Sequence, residues 1–112
     1  MNADQLKGHL DLLLLSILEA GPLHGYALIE ELRRRSEGAF ALPEGTIYPA
    51  LHRLERLGHV SSRWSDATGR RRREYTLSDS GREALRTKAA EWRAFSGAIE
   101  SVIRRIPWPI PA

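Results

Sequence analysis

The stretch Pro43-Glu44-Gly45-Thr46-Ile47-Tyr48-Pro49-Ala50-Leu51-His52-Arg53-Leu54-Glu55-Arg56-Leu57-Gly58 decides how the rest of the chain is read. Ile47, Leu51, Leu54 and Gly58 recur at i, i+4, i+7 and i+11, a narrow stripe of an α-helix that Leu57 widens, and this face is core. Half a turn away stand Pro49, His52, Arg53 and Arg56, with Thr46 and Tyr48 on the shoulders, a surface of donors, cations and one aromatic ring that is available to a partner. Pro43 suits a first helical position and Gly58 the residue after the last turn, so the helix carries its own start and stop.

Upstream, Leu6, Leu10, Leu13, Leu14, Ile17 and Leu18 keep helical spacing until Gly21-Pro22 ends the segment. A second helix is expected from His24 to about Ser36, with Tyr26, Leu28, Ile29 and Leu32 as its apolar face. Its charges run Glu30-Glu31 and then Arg33-Arg34-Arg35, an order the helix dipole favours, so these arginines read as solvated surface. The short connection 37–42 leads straight into the helix opened by Pro43. Two short helices joined by a compact turn read as helix-turn-helix.

After Gly58 the period changes. Residues 59–65 and 71–77 read as two strands around the turn formers Ser65-Asp66-Ala67-Thr68-Gly69, with Tyr75 and Leu77 on one face and Gly69-Arg70 at the tip. From Arg53 to Tyr75 seven arginines stand against Glu55, Asp66 and Glu74, an excess of four that accounts for the whole net charge of +3. A hairpin with an arginine tip beside a helix-turn-helix is a wing able to reach a minor groove; a basic solvated loop is the alternative.

A long helix resumes after Ser78, a suitable N-cap followed by Asp79, and runs to about Arg105. Leu85, Trp92, Ile99 and Ile106 are spaced by seven, Phe95 and Val102 interleave, and Ile103 adds to the seam. Such a face is a liability on a monomer, so a two-fold homodimer is expected, with Leu10, Leu13 and Leu14 of the first helix also in the interface. Pro107 stops the helix, and the proline-rich remainder is a tail that Trp108 could dock.

The 112-residue length suits one domain-sized unit, read here as mainly α with a small β wing (α+β). Its expected parts are a winged helix-turn-helix over 1–77, a dimerisation helix over 78–106 and a tail over 107–112. Cysteine is absent, which excludes disulfides and thiolate metal sites and points to the cytoplasm. The most apolar run, Leu12 to Leu15, falls far short of the about 18 residues that a membrane span needs. His52, Glu55 and His59 lie at i, i+3 and i+7, yet His59 follows the helix stop and nothing supplies further ligands, so no metal site and no cofactor is expected. No nucleophile turn, phosphate-binding glycine loop or carboxylate pair is legible, and an enzyme is not expected.

Three segments taken together, His24-Gly25-Tyr26, then 45–55 (GTIYPALHRLE), then 69–77 (GRRRREYTL), resemble the signature segments of the PadR family in their order, and the likeness extends over nearly the whole chain up to Ile106. The resemblance implies a winged helix-turn-helix transcriptional regulator, usually a repressor, of the architecture with a single short C-terminal helix. Carried over, the family's DNA contacts fall on Thr46, Tyr48, Pro49, His52 and Arg53 of the helix and on Arg70 and Arg71 of the wing. Thr46 and Tyr48 offer neutral hydroxyls to phosphate, Arg53 suits guanine or phosphate, and Pro49 a thymine methyl. The plainer alternatives are a Tyr48 half-buried against the second helix, a first-turn Pro49 and an Arg53 paired with Glu55 or solvent.

Some members of the family resemble sensors of drugs or phenolic compounds, which implies a planar aromatic or phenolic effector between the two copies of Trp92 and Phe95. Aromatic residues at heptad spacing more often simply fill a dimer core, and that is the preferred reading of Trp92. Double-stranded DNA read as an inverted repeat, a second copy of the chain, and no membrane are thus the expected partners. Two other classes stay open: a ligand-binding sensor or carrier, and a winged-helix module for protein contacts.

Overall fold

The computed structural model describes residues 6, 8–66 and 69–110. The extreme ends of the expected first and last segments, and Ala67-Thr68 of the expected turn, lie outside that set. The order of elements is α1 (Leu10–Leu18), β1 (Leu23–His24), α2 (Gly25–Arg35), α3 (Glu44–Arg56), β2 (Val60–Ser65), β3 (Arg72–Leu77) and α4 (Asp79–Ile103). This is an α+β fold, with four helices and one antiparallel sheet in the order β1-β3-β2 among the described residues.

Helix α3 starts one residue later than expected. Pro43 is its N-cap, and the Pro43 carbonyl accepts from the Thr46 and Ile47 amides at 3.0 and 3.2 Å. Pro49 is not a first-turn proline but lies in the second turn, where it has no N–H to give the Gly45 carbonyl. At the other end Gly58 adopts φ +79°, the His59 amide donates to the Leu54 carbonyl (3.0 Å) and the Gly58 amide to that of Glu55 (2.9 Å). This pair of bonds is a Schellman stop, the role that glycine fits best. Helix α2 ends the same way with Glu37 at φ 53°, while Ser36 Oγ accepts from the Phe40 amide at 2.9 Å and orders the turn into α3.

The core is one cluster. Leu14, Leu15, Ile17 and Leu18 of α1 meet Leu28 and Leu32 of α2, Ile47, Ala50, Leu51 and Leu54 of α3, and Val60, Tyr75 and Leu77 of the sheet. The expected stripe of α3 is thus inside, except that Leu57, the residue beyond the last turn, is exposed. Tyr26, expected on the apolar face of α2, is 62% exposed. Leu14, expected in a dimer interface, is fully buried in its own chain, whereas Leu10 and Leu13, also expected there, are only partly buried.

Strands β2 and β3 pair from Val60↔Leu77 to Ser65↔Arg72. Two-residue β1 adds Leu23↔Tyr75 and His24↔Glu74 on the other side of β3, so the hairpin is stapled to the chain just ahead of α2. Helix α4 is capped by Ser78, whose Oγ accepts from the Gly81 amide at 3.1 Å and donates to the Gly58 carbonyl at 2.6 Å. Ser80 Oγ reaches the same carbonyl at 2.9 Å. The long helix therefore starts on the turn that stops α3. It ends at Ile103 rather than Arg105, and beyond it Trp108 is 86% exposed, not docked.

Candidate nucleic-acid interface

The residues singled out on α3 lie on its outer side. Pro49, His52 and Arg53 are exposed, while Thr46 and Tyr48 are half-buried on the shoulders. Tyr48 leans on the start of α2. A Cβ added to Gly25 would lie 2.5 and 2.6 Å from Tyr48 Cε1 and Cζ, so only glycine at position 25 leaves room for the ring. Burial, and after it the Glu44 carboxylate, push the Tyr48 phenol above its ordinary pKa. Its hydroxyl is then a neutral donor at physiological pH, the form suited to a phosphate oxygen.

Arg53 is held by a partner 42 positions away: its Nη2 pairs with Asp11 of α1, not with Glu55. Glu55 turns towards the sheet, where its Oε2 accepts from Ser62 Oγ at 2.7 Å and lies 3.9 Å from Arg73 Nη2. Arg73 also donates from Nε to Ser62 Oγ at 2.9 Å. Across the hairpin Arg63 pairs with Glu74 at 3.3 Å. On α2, Arg33 pairs with Glu30 at 3.1 Å, and Arg34 and Arg35 with Glu31 at 2.5 and 2.9 Å, which holds the Glu31 carboxyl down at about 2. All three arginines of α2 are thus paired on its own surface, Arg34 and Arg35 sharing one carboxylate.

The wing tip differs. Gly69, at φ +77°, turns the chain by donating its amide to the Asp66 carbonyl at 2.9 Å, and Arg70 and Arg71 follow it into solvent. Neither forms an ion pair among the described residues. The Arg71 guanidinium carbon lies over the Trp64 ring, 4.8 Å from its centroid, and that of Arg73 at 5.5 Å. Between this wing face and the starts of α2 and α3 opens a cleft of about 540 Å³, lined by His24, Gly25, Tyr26, Tyr48, Trp64 and Arg70 to Arg73. His24 Nδ1 is buried there without a hydrogen-bond partner among the described residues.

The fold thus brings Tyr48, Arg70 and Arg71 around one concave cationic surface. It places Tyr26, His24 and Trp64 beside them, three residues absent from the expected site. The histidine and tyrosine belong to a quoted motif, whereas Trp64 carried no signal beyond its alternation in a strand.

The model of the Transcriptional regulator PadR-like family matches residues 14–87, more than half of the chain. The chain belongs to the PadR-like family of transcriptional regulators. An uncharacterized protein of Lysinibacillus sphaericus is 27% identical over 93 residues, covering 82% of this chain and 85% of that protein. The transcriptional regulator Rv3488 of Mycobacterium tuberculosis is 41% identical over 63 residues, 56% of either chain. Among solved structures, a transcriptional regulator from Clostridium thermocellum superposes with TM-score 0.80 at 28% identity, covering 88% of this chain and 97% of that one. A PadR family regulator from Clostridium difficile gives 0.75 at 34% identity, covering 86% and 99%.

PadR-like proteins are DNA-binding regulators and not enzymes, and the winged helix-turn-helix with a long C-terminal helix is their fold. In this PadR-like chain no helix among the described residues is long and apolar enough to cross a membrane.

Proposed function

We propose that this PadR-like regulator is a cytoplasmic homodimeric repressor that binds an inverted-repeat operator through α3 and the wing. The observation that carries the proposal is the cationic concavity itself: Tyr48 of α3 stands beside Arg70 and Arg71 of the wing, which no carboxylate holds among the described residues. In this reading α3 enters the major groove with Thr46, Pro49 and His52, and Tyr48, Arg70 and Arg71 hold phosphates. Arg53 exchanges Asp11 for DNA.

The dimer rests on α4. Trp92, Phe95, Ile99, Val102, Ile103 and Ile106 are all at least two-fifths exposed in the single chain, while Leu85 already packs partly on the core. A contiguous apolar face of that extent favours a second copy. With Arg53, Arg70 and Arg71 of both protomers on phosphate, counterion release gives a slope of log K against log salt of about −5.

A planar aromatic or phenolic effector fits at the same interface. The His9 ring meets Trp92 edge-on at 4.9 Å, Phe95 lies 6.3 Å from Trp92, and a hollow of about 200 Å³ lies beside them. Stacking on Trp92 needs few polar anchors, and a ligand wedged there would alter how α4 meets its partner and hence the spacing of the two α3 helices.

Selection from a random duplex pool, followed by a salt series on the enriched duplex, tests this. The expected result is an enriched inverted repeat with the slope above, abolished by Tyr48→Ala combined with Arg53→Ala in a variant that stays dimeric. Unchanged affinity in that double variant would refute the site assignment. Absence of enrichment would refute the repressor reading.

A further inference from the structure

We infer that Trp64 is a positioning residue for DNA binding: its indole holds the Arg71 guanidinium in place at the wing, and Arg73 and Glu55 tie that stack to α3. The inference rests on the DNA-binding reading proposed above and adds to it a residue with no contact to DNA of its own.

Trp64 is a large aromatic side chain, 53% exposed on the edge strand β2, where burial alone would not retain it. Its ring is nonetheless in use. Arg73 is its direct cross-strand partner and Arg71 lies two residues along on the same face, so the pleat delivers two guanidinium groups to one indole. Both carbons, at 4.8 and 5.5 Å from the centroid, lie within the about 6 Å over which the ring quadrupole attracts a cation.

The two arginines are not equivalent. Arg73 is anchored by Ser62 Oγ at 2.9 Å and by Glu55, and Glu55 sits on α3. Ser62 closes the link by donating to Glu55 at 2.7 Å. Arg71 forms no ion pair among the described residues, so its planar group rests on the indole with its donors available. A chain of contacts therefore runs from α3 through Glu55, Ser62, Arg73 and Trp64 to Arg71.

An arginine at a turn loses rotamer freedom when it binds phosphate. Holding it on a flat aromatic face removes part of that loss in advance, and guanidinium is the cation best suited to such stacking. Cation–π attraction at exposed sites corresponds to about two- to fivefold per protomer, so roughly five- to thirtyfold on a two-site operator.

The test compares Trp64→Leu, Trp64→Phe, Arg71→Ala and the double variant Trp64→Leu/Arg71→Ala for affinity to the enriched duplex, with urea midpoints confirming that each is folded. Trp64→Leu is expected to lose the stated affinity, Trp64→Phe to keep most of it, and Trp64→Leu to cost nothing further once Arg71 is alanine. Equal loss on Trp64→Leu in both backgrounds, or equal affinity of Trp64→Leu and the natural protein, overturns the inference while leaving the repressor reading intact.

A measurement without DNA separates the two. By NMR the Arg71 δ-protons of the natural protein should be shifted upfield by the indole ring current, and Trp64→Leu should return them to ordinary values. Ordinary shifts in the natural protein would overturn the stack whether or not any duplex is bound.

Discussion

Replacing Gly81 by alanine probes the joint between the DNA-binding unit and α4. A Cβ at this position would lie 2.7 Å from Leu77 Cδ1 and 3.0 Å from the His59 carbonyl carbon, and closer still to the His59 oxygen. The obstacle is backbone, and that carbonyl already accepts from the Ser78 amide at 3.1 Å, so it cannot swing away as a side chain would. The start of α4 must move instead. Over-packing of this kind costs about 1–3 kcal/mol, and straining the Ser78 cap costs about 1 more. The better helix propensity of alanine returns about 1 kcal/mol. The net expectation is a destabilisation of about 1–3 kcal/mol, hence a urea midpoint lower by roughly 1 M, read by far-ultraviolet circular dichroism at one fixed protomer concentration. Gly97→Ala is the control: the same change on the same helix meets nothing within 4 Å, and should be neutral or stabilising by up to about 1 kcal/mol. A Gly81→Ala midpoint equal to or above that of the natural protein would refute the close approach of α4 to His59.

Gly25→Ala makes the opposite kind of clash, with the far end of the Tyr48 ring, which can swing outward; stability should fall by no more than about 1 kcal/mol while operator affinity falls about tenfold, because the phenol leaves its place. Fluorescence anisotropy beside a urea curve checks both, and a variant that loses stability but keeps its affinity would remove Tyr48 from the contact. Ile99→Glu, on the exposed face of α4, should give a folded monomer by analytical ultracentrifugation, and a variant that stays dimeric would take that face out of the interface.

Where a residue is read through its neighbours along the chain, the sequence was a good guide. The stripe of α3, the alternation that buries Tyr75 and Leu77, and the Ser78 cap all follow from local spacing and local hydrogen bonding. The misreadings have a common cause, a contact brought from far away. Tyr26 fits the apolar period of α2 and so reads as core, but it stands exposed in the first turn of that helix, over the wing cleft. The surplus of leucines on α1 points Leu14 to a partner, yet it is fully buried within its own chain's core cluster. A two-residue strand such as β1 has no period to detect. Its existence follows only from the register it finds against Tyr75 and Glu74.

Charge shows the same division and bears directly on mechanism. Counting from Arg53 to Tyr75 located an excess of cations without saying which of them a polyanion could use. Three of the seven arginines are matched in the fold: Arg53 with Asp11, Arg63 with Glu74 and Arg73 with Glu55. Three of the other four, Arg70, Arg71 and Arg72, are consecutive at the wing, and only Arg56 belongs to α3. The outer side of α3 accordingly sets Thr46, Tyr48, Pro49 and His52 beside the paired Arg53. In the proposed complex the two surfaces divide the work: the wing supplies the greater part of the salt-dependent attraction, which is indifferent to sequence, and α3 supplies contacts whose strength depends on the base met. A regulator built this way can change its operator by substitutions on α3 while leaving its general affinity for DNA to the wing.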